Sequence, residues 1–321
     1  MTRLLFISGV LSLFLGCART LERTGPDGGM PLGTRFSSPE EAVSALKRAV
    51  SERNETAVLA LFGPQGEALV NSGDPVADSE RMSKFAQLLT EREAIEAQPD
   101  GDVLLLVGNE NWPFPIPLTK VGRREWAFDT LRGKEEILNR RIGENELKTV
   151  RVAQAYVDAQ REYYKKDWDR DGVKEYAQRL ASTPGSRDGL FWKSTDPKDQ
   201  SPFGPFAAEA AAEGYRLAKD EPVPYHGYFF KILTEQGPDA SEGERKYLTA
   251  KEQMTRGFGL VAYPARWGSS GIMSFIVNDE GVVYEKDLGV QTLTLASGMK
   301  AFNPDPSWKP VDEEAVALAV E

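Results

Sequence analysis

The sequence contains one cysteine and one histidine among its 321 residues. The single cysteine, Cys17, cannot form a disulfide within the chain, so packing must stabilise the fold even in an oxidising compartment. The single histidine, His226, has to serve in any Ser-His-Asp, Cys-His or multi-histidine metal site. Its setting, Tyr225-His226-Gly227-Tyr228, predicts an imidazole that hydrogen-bonds near the start of a strand, with catalysis as the less favoured alternative.

Compact sequence signatures of enzymes are also missing. The chain has no Gly-x-Ser-x-Gly nucleophile elbow, no His-Glu-x-x-His zinc motif, and neither a Gly-x-x-x-x-Gly-Lys nor a Gly-x-Gly-x-x-Gly nucleotide loop. Acidic residues outnumber basic ones by 49 to 39, which gives a formal net charge of −10. This balance disfavours nucleic-acid binding, because a nucleic-acid partner requires a basic surface.

An apolar run at the N-terminus, Leu4 to Leu15, is too short for a stable membrane span. With Arg3 before it and Gly16 after it, the run predicts a secretory signal peptide over residues 1–16. The ending Leu13-Phe14-Leu15-Gly16-Cys17 resembles the lipobox of bacterial lipoproteins, although Phe14 stands where that motif usually has Leu. The resemblance implies lipidation at Cys17, attachment to a membrane through this lipid, and a place in the bacterial cell envelope facing the periplasm or the exterior. The alternative is an ordinary signal peptide with an incidental cysteine.

Residues 17–36 are rich in Gly, Pro, Thr and Arg and predict a tether. An N-terminal α+β domain is predicted over residues 37–132. Its first helix begins at Ser38-Pro39-Glu40-Glu41, which combines an N-cap serine, a proline at the first helical position and a glutamate three residues after the cap. Two more helices are predicted at Glu55–Phe62 and Ser79–Thr90. Short runs separated by turn residues then predict an antiparallel meander from Glu91 to Thr130, with the prolines at 113–117 on an edge or bulge.

A second domain is predicted over residues 133–310, followed by a tail at 311–321. A short helix at Gly133–Arg141 leads into a long spine helix, whose apolar positions from Leu147 to Tyr164 recur with a helical period and predict one buried face. Ala181–Pro205 predicts an exposed crossing segment, and Ala207–Gly214 a short helix. Strands are predicted at Tyr225–Leu233, Gly257–Pro264, Gly271–Val277 and Val282–Lys286. The fold class is therefore α+β with antiparallel sheets.

Five long stretches carry a family resemblance. They are Gly133-Lys-Glu-Glu-Ile-Leu-Asn-Arg-Arg-Ile-Gly143, Ala155-Tyr-Val-Asp-Ala-Gln-Arg-Glu-Tyr163, Tyr225-His-Gly-Tyr228, Val261-Ala-Tyr-Pro264 and Phe275-Ile-Val-Asn-Asp-Glu-Gly-Val-Val-Tyr284. Together they resemble the uncharacterised bacterial envelope family catalogued as domain of unknown function 2950, over residues 36–310. The resemblance implies an envelope protein and brings no established activity with it.

Residues 143–287 resemble, in addition, the globular head of type IV pilins and pseudopilins. The likeness consists of a long helix, a loop with an Asp-x-Asp-x-Asp-Gly core, the segment Gly227-Tyr-Phe-Phe-Lys231 and the hairpin around Gly281. Pilins have a wholly apolar N-terminal helix, whereas this helix is internal and carries Arg151 and Lys165. The resemblance thus implies a pilin-like head without a role in a filament.

The loop after the spine helix has the spacing of a calcium site. Asp167, Asp169, Asp171 and Gly172 match positions one, three, five and six of an EF-hand-type loop, in which carboxylates surround Ca²⁺ and glycine permits the turn. Val173 would offer its carbonyl at position seven, and Glu175 its side chain at position nine. Position twelve is Gln178 in place of the bidentate glutamate, which predicts low affinity, around the millimolar range. The alternative is an acidic helix end that stays solvated.

Two hypotheses for the function come from different classes. The first is an envelope lipoprotein without catalytic activity, which binds or scaffolds an envelope protein or glycan and needs no cofactor beyond a weakly held Ca²⁺. The second is an envelope hydrolase that acts on glycan or peptide through acidic residues and His226. The missing catalytic motifs favour the first. Tryptophans at turns are predicted to cover the core, with ligand platforms as the alternative; they are Trp112, Trp168, Trp192, Trp267 and Trp308.

Overall fold

Helix caps define the N-terminal part of the fold, as the sequence predicts. The computed structural model describes residues 33–196, 199–213, 215 and 223–312. Helix α1 begins where Ser38 Oγ accepts a hydrogen bond from the Glu41 amide at 3.2 Å. The Glu41 carboxylate accepts in return from the Ser37 amide at 2.9 Å, so the predicted capping is confirmed with a shift of one residue. The helices here are α1 (Pro39–Ser51), α2 (Glu55–Phe62), α3 (Glu67–Val70) and α4 (Pro75–Glu91).

A sheet covers these helices. Its strands are β1 (Glu93–Ala97), β2 (Val103–Val107), β3 (Trp112–Pro113), β4 (Leu118–Lys120) and β5 (Trp126–Phe128). The order is β1-β2-β4-β5, with β3 also paired to β2, and all pairs are antiparallel. The prolines divide the predicted run at 112–121 into two strands, because proline cannot donate to a ladder. A first core, which includes Leu46, Leu105 and Phe128, lies between helices and sheet.

The last residues of the predicted tether, 33–36, pack against the folded part of the chain. The amide of Phe36 donates to the Trp126 carbonyl at 2.8 Å, and the Trp126 amide donates back at the same distance. Phe36 is buried in the first core. Residues 33–36 therefore belong to the folded part, whereas residues 1–32 lie outside the described part of the chain.

One continuous helix, α5 (Thr130–Tyr163), replaces the short helix and the spine helix that the sequence predicts. The two predicted helices are continuous across Gly143, because one glycine in a helix costs only about 1 kcal/mol and packing overrides it. At 34 residues the helix is about 50 Å long. The predicted domain boundary between residues 132 and 133 falls in its first turn. Its predicted apolar face is buried from Val150 to Tyr163.

The C-terminal part combines a larger and a smaller sheet. Its elements are α6 (Gly204–Ala212), β6 (Tyr228–Leu233), β7 (Glu235–Gln236), β8 (Arg245–Lys246), β9 (Gly259–Pro264), β10 (Met273–Asn278), β11 (Tyr284–Asp287), α7 (Thr292–Gly298), β12 (Ala301–Phe302) and β13 (Lys309–Pro310). The larger sheet is antiparallel with the order β13-β11-β10-β9-β6, and the smaller has the order β12-β7-β8 with β12 parallel to β7. The α+β prediction is confirmed. The two-residue strands were missed because they are too short to show an alternation of apolar and polar residues.

A second core lies between α5 and the larger sheet. It contains Tyr156 on α5, Tyr228 on β6 and Phe275 on β10. It also contains Leu190 and Trp192, with relative exposures of 0% and 6%. The crossing segment at residues 181–205 is therefore exposed only in part, as at residues 183–186, and its middle is buried. Trp308 is buried as well, whereas Trp112 and Trp267 are exposed.

All described residues belong to one compact unit. Among them, no helix combines the length and the apolar character that a membrane span requires.

Candidate functional site

The acidic loop leaves the C-terminal end of α5 and returns to the same helix. The indole of Trp168 donates to the Tyr163 carbonyl at 2.9 Å, which holds the first turn of the loop against the helix end. At the other end, the buried side chain of Gln160 donates to the Ala177 carbonyl at 2.7 Å and accepts from the Ala177 amide at 2.8 Å. Both ends of the loop are thus fixed by α5.

Backbone amides orient the three aspartates inside the loop. Asp167 accepts hydrogen bonds from the Arg170 and Gly172 amides at 2.8 and 2.9 Å. Asp169 accepts from the Asp171 amide at 3.3 Å, and Asp171 accepts from the Val173 amide at 2.8 Å. The turn requires a left-handed backbone at Arg170 (φ 63°) and Gly172 (φ 89°). One oxygen from each aspartate lies within 4.8 Å of the other two.

This convergence concentrates negative charge on the surface. Asp169 and Asp171 are exposed and Asp167 is half-buried. Burial opposes ionisation of Asp167, but the Gly172 and Arg170 amides outweigh it and lower the pKa of this carboxyl. Burial raises the pKa of nearby Glu175, and the charges of the three aspartates raise it further. A cation in the loop would offset this repulsion, since an opposite charge favours ionised carboxylates.

The other predicted ligands lie beside the loop. Glu175 accepts a hydrogen bond from the Met254 amide at 3.3 Å. Gln178, at the twelfth position, donates to the Glu252 carbonyl at 2.7 Å and supplies no carboxylate. Asp171 also accepts from Gln253 Nε2 at 2.6 Å, so residues 252–254 form a second wall of the site. The metal-binding roles of Val173 and Glu175 stay predictions.

Two of the cavities on the described surface lie beside charged side chains. One of about 190 Å³ adjoins the acidic loop and is lined by Tyr163, Glu175, Tyr176, Ala177, Gln178, Arg179 and Asp188. A larger one of about 390 Å³ lies beside the first sheet, where Arg132 is paired with Asp102 and, at 3.4 Å, with Asp100. One guanidinium thus faces two carboxylates in the larger cavity, and one negative charge remains.

A buried polar cluster, which the sequence analysis missed, surrounds Asp74 at the start of α4. One carboxylate oxygen of Asp74 caps the helix by accepting from the amides of Val76 and Ala77, both at 3.1 Å. The other oxygen accepts from the Tyr215 hydroxyl at 2.8 Å and from the Gly227 amide at 2.7 Å. The sequence signal was Asp74-Pro75, an N-cap followed by proline at the first position, which places the start of α4 before the predicted Ser79.

His226 lies in the same cluster and is buried. Its Nε2 is 3.0 Å from the Glu213 carboxylate, and its Nδ1 is 3.4 Å from the Lys148 ammonium. A neutral ring suits these neighbours, because it donates from one nitrogen and accepts at the other. Burial lowers the pKa of His226 to about 4, and Lys148 and Arg81 act in the same direction against Glu144. These contacts match the predicted hydrogen-bonding role near the start of β6, and neither is to a nucleophilic hydroxyl.

Asn145 connects the cluster to both parts of the fold. Its side chain accepts from Arg81 of α4 at 2.8 Å and donates to the Ser270 carbonyl at 2.8 Å. Beside it, the half-buried Glu146 accepts hydrogen bonds from the Ile272 and Met273 amides, both at 2.9 Å. The predicted lipidation site, Cys17, lies outside the described residues.

The comparisons with known proteins agree with one of the two family resemblances. A family model described as Protein of unknown function (DUF2950) matches residues 33–311, so the chain belongs to this family. No curated protein and no solved structure matches the chain. The pilin-like character of the C-terminal part therefore stays a prediction.

Proposed function

We propose that this protein is a lipid-anchored component of the bacterial cell envelope that acts by binding, with a weak Ca²⁺ site in the loop 167–175. The observation that carries the proposal is the convergence of one oxygen each from Asp167, Asp169 and Asp171 within 4.8 Å. Hard oxygen ligands at this spacing suit Ca²⁺, which takes six to eight of them. The anchor rests on the sequence ending at Cys17.

The hydrogen bonds of the loop support cation binding more than they oppose it. Each carboxylate offers about four lone-pair directions, and the amides that bind Asp167 and Asp171 leave others free. These amides already hold the carboxylates in place, so less conformational entropy is lost when a cation binds. The absence of a bidentate carboxylate at Gln178 and the exposure of Asp169 keep the expected affinity low, with Kd around the millimolar range.

Thermal unfolding with and without Ca²⁺ tests the site. Because a cation would bind the folded loop and not the unfolded chain, free Ca²⁺ at about ten times Kd should add about 1.4 kcal/mol to the free energy of unfolding. Mg²⁺ should add less, since it requires a tighter octahedral shell. Asp169→Ala should abolish the shift, because it removes one of the three ligand oxygens. It should leave the fold intact, because Asp169 is exposed and accepts only one described amide hydrogen bond, at 3.3 Å.

The matched control is Asp158→Ala, which changes an aspartate on α5 whose side chain is 82% exposed. This variant should keep the full calcium shift. Equal calcium-dependent stabilisation of the Asp158 and Asp169 variants would mean that the ion binds elsewhere. A wild-type protein that millimolar Ca²⁺ does not stabilise would contradict the calcium site.

The hydrolase hypothesis is tested on buried side chains whose pKa values are shifted from their ordinary values. Burial raises the pKa of Glu146, a property that general acids share. If the protein acts by binding, the purified mature chain should turn over neither peptidoglycan nor glycan and ester substrates. Turnover that is lost in Glu146→Gln or His226→Asn would overturn the binding proposal and establish hydrolysis.

A further inference from the structure

Exposed apolar side chains cluster around α7. Val290, in the 3₁₀ turn before the helix, is 81% exposed, and Leu293 and Leu295 are 53% and 48% exposed. Val290 and Leu293 are three residues apart, so they lie on one side of the turn and helix. On most soluble proteins, exposed apolar side chains occur singly. A contiguous group of them marks an interaction site.

The fold holds these side chains outward. Thr292 and Ala296, four residues apart, form the inner face of α7 and are fully buried. The Thr292 hydroxyl donates to the Gly289 carbonyl at 2.6 Å, which fixes the turn that carries Val290. Leu293 therefore cannot move into the core unless α7 detaches from the sheet.

Trp267 joins this surface through a shared hydrogen-bond acceptor. Asp287 Oδ1 accepts from the Trp267 indole at 2.8 Å and from the Gly289 amide at 2.7 Å. The indole, which is 39% exposed, is thereby placed beside the turn that contains Val290. A tryptophan with its polar edge satisfied and its ring partly in water is the kind of side chain that collects at membrane interfaces.

Positive charge lies at the other end of α7. Residues 288–300 contain no Asp or Glu, although the chain has 49 of them. The Lys231 ammonium donates to the Ser297 and Met299 carbonyls at 2.6 and 2.7 Å, and the exposed Lys300 follows Met299. Burial lowers the pKa of Lys231, and the charge of Lys300 lowers it further, so the two ammonium groups repel each other. An anionic group bound between them would relieve this repulsion.

We propose that this α7 surface, made of Trp267, Val290 and Leu293 with Lys231 and Lys300, docks on the headgroup region of an anionic phospholipid bilayer. The apolar side chains would enter the interface, and the lysines would contact phosphate groups. Three exposed apolar side chains fall well short of the roughly 800 Å² that each partner buries in a stable protein complex. They suffice for a weak contact by a chain that a lipid already holds at the membrane, and in this respect the inference rests on the proposed anchor.

Co-sedimentation with vesicles tests the docking independently of the anchor. A chain that starts at Leu32 contains every helix, strand and core of the described structure and lacks Cys17. It should bind vesicles of phosphatidylcholine mixed with phosphatidylglycerol, and bind more weakly to phosphatidylcholine alone. Val290→Ser with Leu293→Ser should lower binding about tenfold or more, and Lys300→Glu about fivefold or more.

The matched control is Ile95→Ser with Leu131→Ser, which removes two exposed apolar side chains, 37% and 48% exposed, from other parts of the surface. This variant should bind like the parent chain, and circular dichroism should show all variants folded. Equal loss in control and test variants, binding that ignores lipid charge, or no binding by the parent chain would overturn the docking proposal. A dimer in solution that the Val290 and Leu293 changes dissociate would assign the surface to a second copy instead. Failure of lipidation at Cys17 would leave these results unchanged, so the two proposals fail separately.

Discussion

Asp74 accepts a hydrogen bond at 2.7 Å from the amide of Gly227, which lies 153 residues later in the chain. The same carboxylate caps the first turn of α4, so one side chain starts a helix of the N-terminal part and fixes the turn before β6. Gly227 adopts a left-handed backbone (φ 75°), and a Cβ there would meet Asn145 and Ser270 at 2.8 Å. The contact between the two parts of the fold thus depends on a charged, buried acceptor and a residue without a side chain.

Replacing Asp74 should destabilise the protein far more than removal of an ordinary helix cap. Asp74→Ala leaves the Tyr215 hydroxyl and the Gly227 amide without their acceptor, in addition to uncapping α4. Hydrogen bonds to a buried charge and a lost cap together should lower the free energy of unfolding by about 3 kcal/mol or more. Urea unfolding followed by circular dichroism measures the change.

Asn54→Ala provides the control, because Asn54 caps α2 with one exposed hydrogen bond to the Ala57 amide at 3.0 Å. This change should cost about 1 kcal/mol. Equal losses in the two variants would show that the contacts of Asp74 across the fold contribute little.

Replacing two glycines of α5 by alanine should change the free energy of unfolding in opposite directions. A Cβ on Gly133 would lie 2.4 Å from the Pro115 carbonyl oxygen and 2.6 Å from the Ile116 nitrogen, whereas a Cβ on Gly143 would meet no atom within 4 Å. Gly143→Ala should therefore raise the free energy of unfolding by about 0.5–1 kcal/mol through helix propensity. Gly133→Ala should lower it despite the same gain in propensity, since the backbone of residues 115 and 116 has to move. A stabilised Gly133 variant would contradict the close packing at the start of α5.

His226 should make the fold sensitive to mild acid. Its native pKa is lowered to about 4 from an ordinary value of 6.5. As the pH falls from 6.5 to 4, the unfolded chain takes up a proton that the folded chain does not, so the unfolded state is favoured. The loss should reach about 2–3 kcal/mol at the lower end of this window and change little below it. Above pH 6.5 both states are neutral and the residue has no such effect.

The pH dependence is assigned by comparing wild type with His226→Asn in urea unfolding across this range. Asparagine tolerates the left-handed backbone at this position (φ 47°), so the turn should remain. The free-energy difference between wild type and variant should shift with pH between 6.5 and 4. A constant difference would mean that His226 titrates alike in both states.

Lipidation at Cys17 should decide where the protein resides. Cys17→Ser should replace a detergent-phase protein by an unprocessed or soluble one, because the thiol is the acceptor of the lipid. Phe14→Leu, which restores the usual residue of the resembled motif, should keep the wild-type behaviour. Mass spectrometry of the N-terminal peptide should find the acyl groups in wild type; their absence, with unchanged partitioning of Cys17→Ser, would contradict the prediction.

The sequence predicted best those elements that are fixed by residues close to one another in the chain. Ser38 caps α1 within its own first turn, as predicted, and α2 ends at Phe62, where the sequence indicated. The strands β6, β9 and β10 were predicted to within a few residues, since their apolar runs are long. The acidic loop was likewise recognised from spacing alone. The backbone amides that donate to its three aspartates lie at most five positions from the carboxylate that accepts.

By itself, then, the sequence determined the α+β class, the cap at Ser38 and the loop of aspartates, because each follows from residues that are neighbours in the chain. Tertiary structure decided the continuity of α5 through Gly143, the burial of Leu190 and Trp192, and the polar cluster around Asp74 and His226. These features arise where residues far apart in the chain meet. Their free energy comes from desolvation and from partners such as Gly227 and Lys148, which no local period or spacing can indicate.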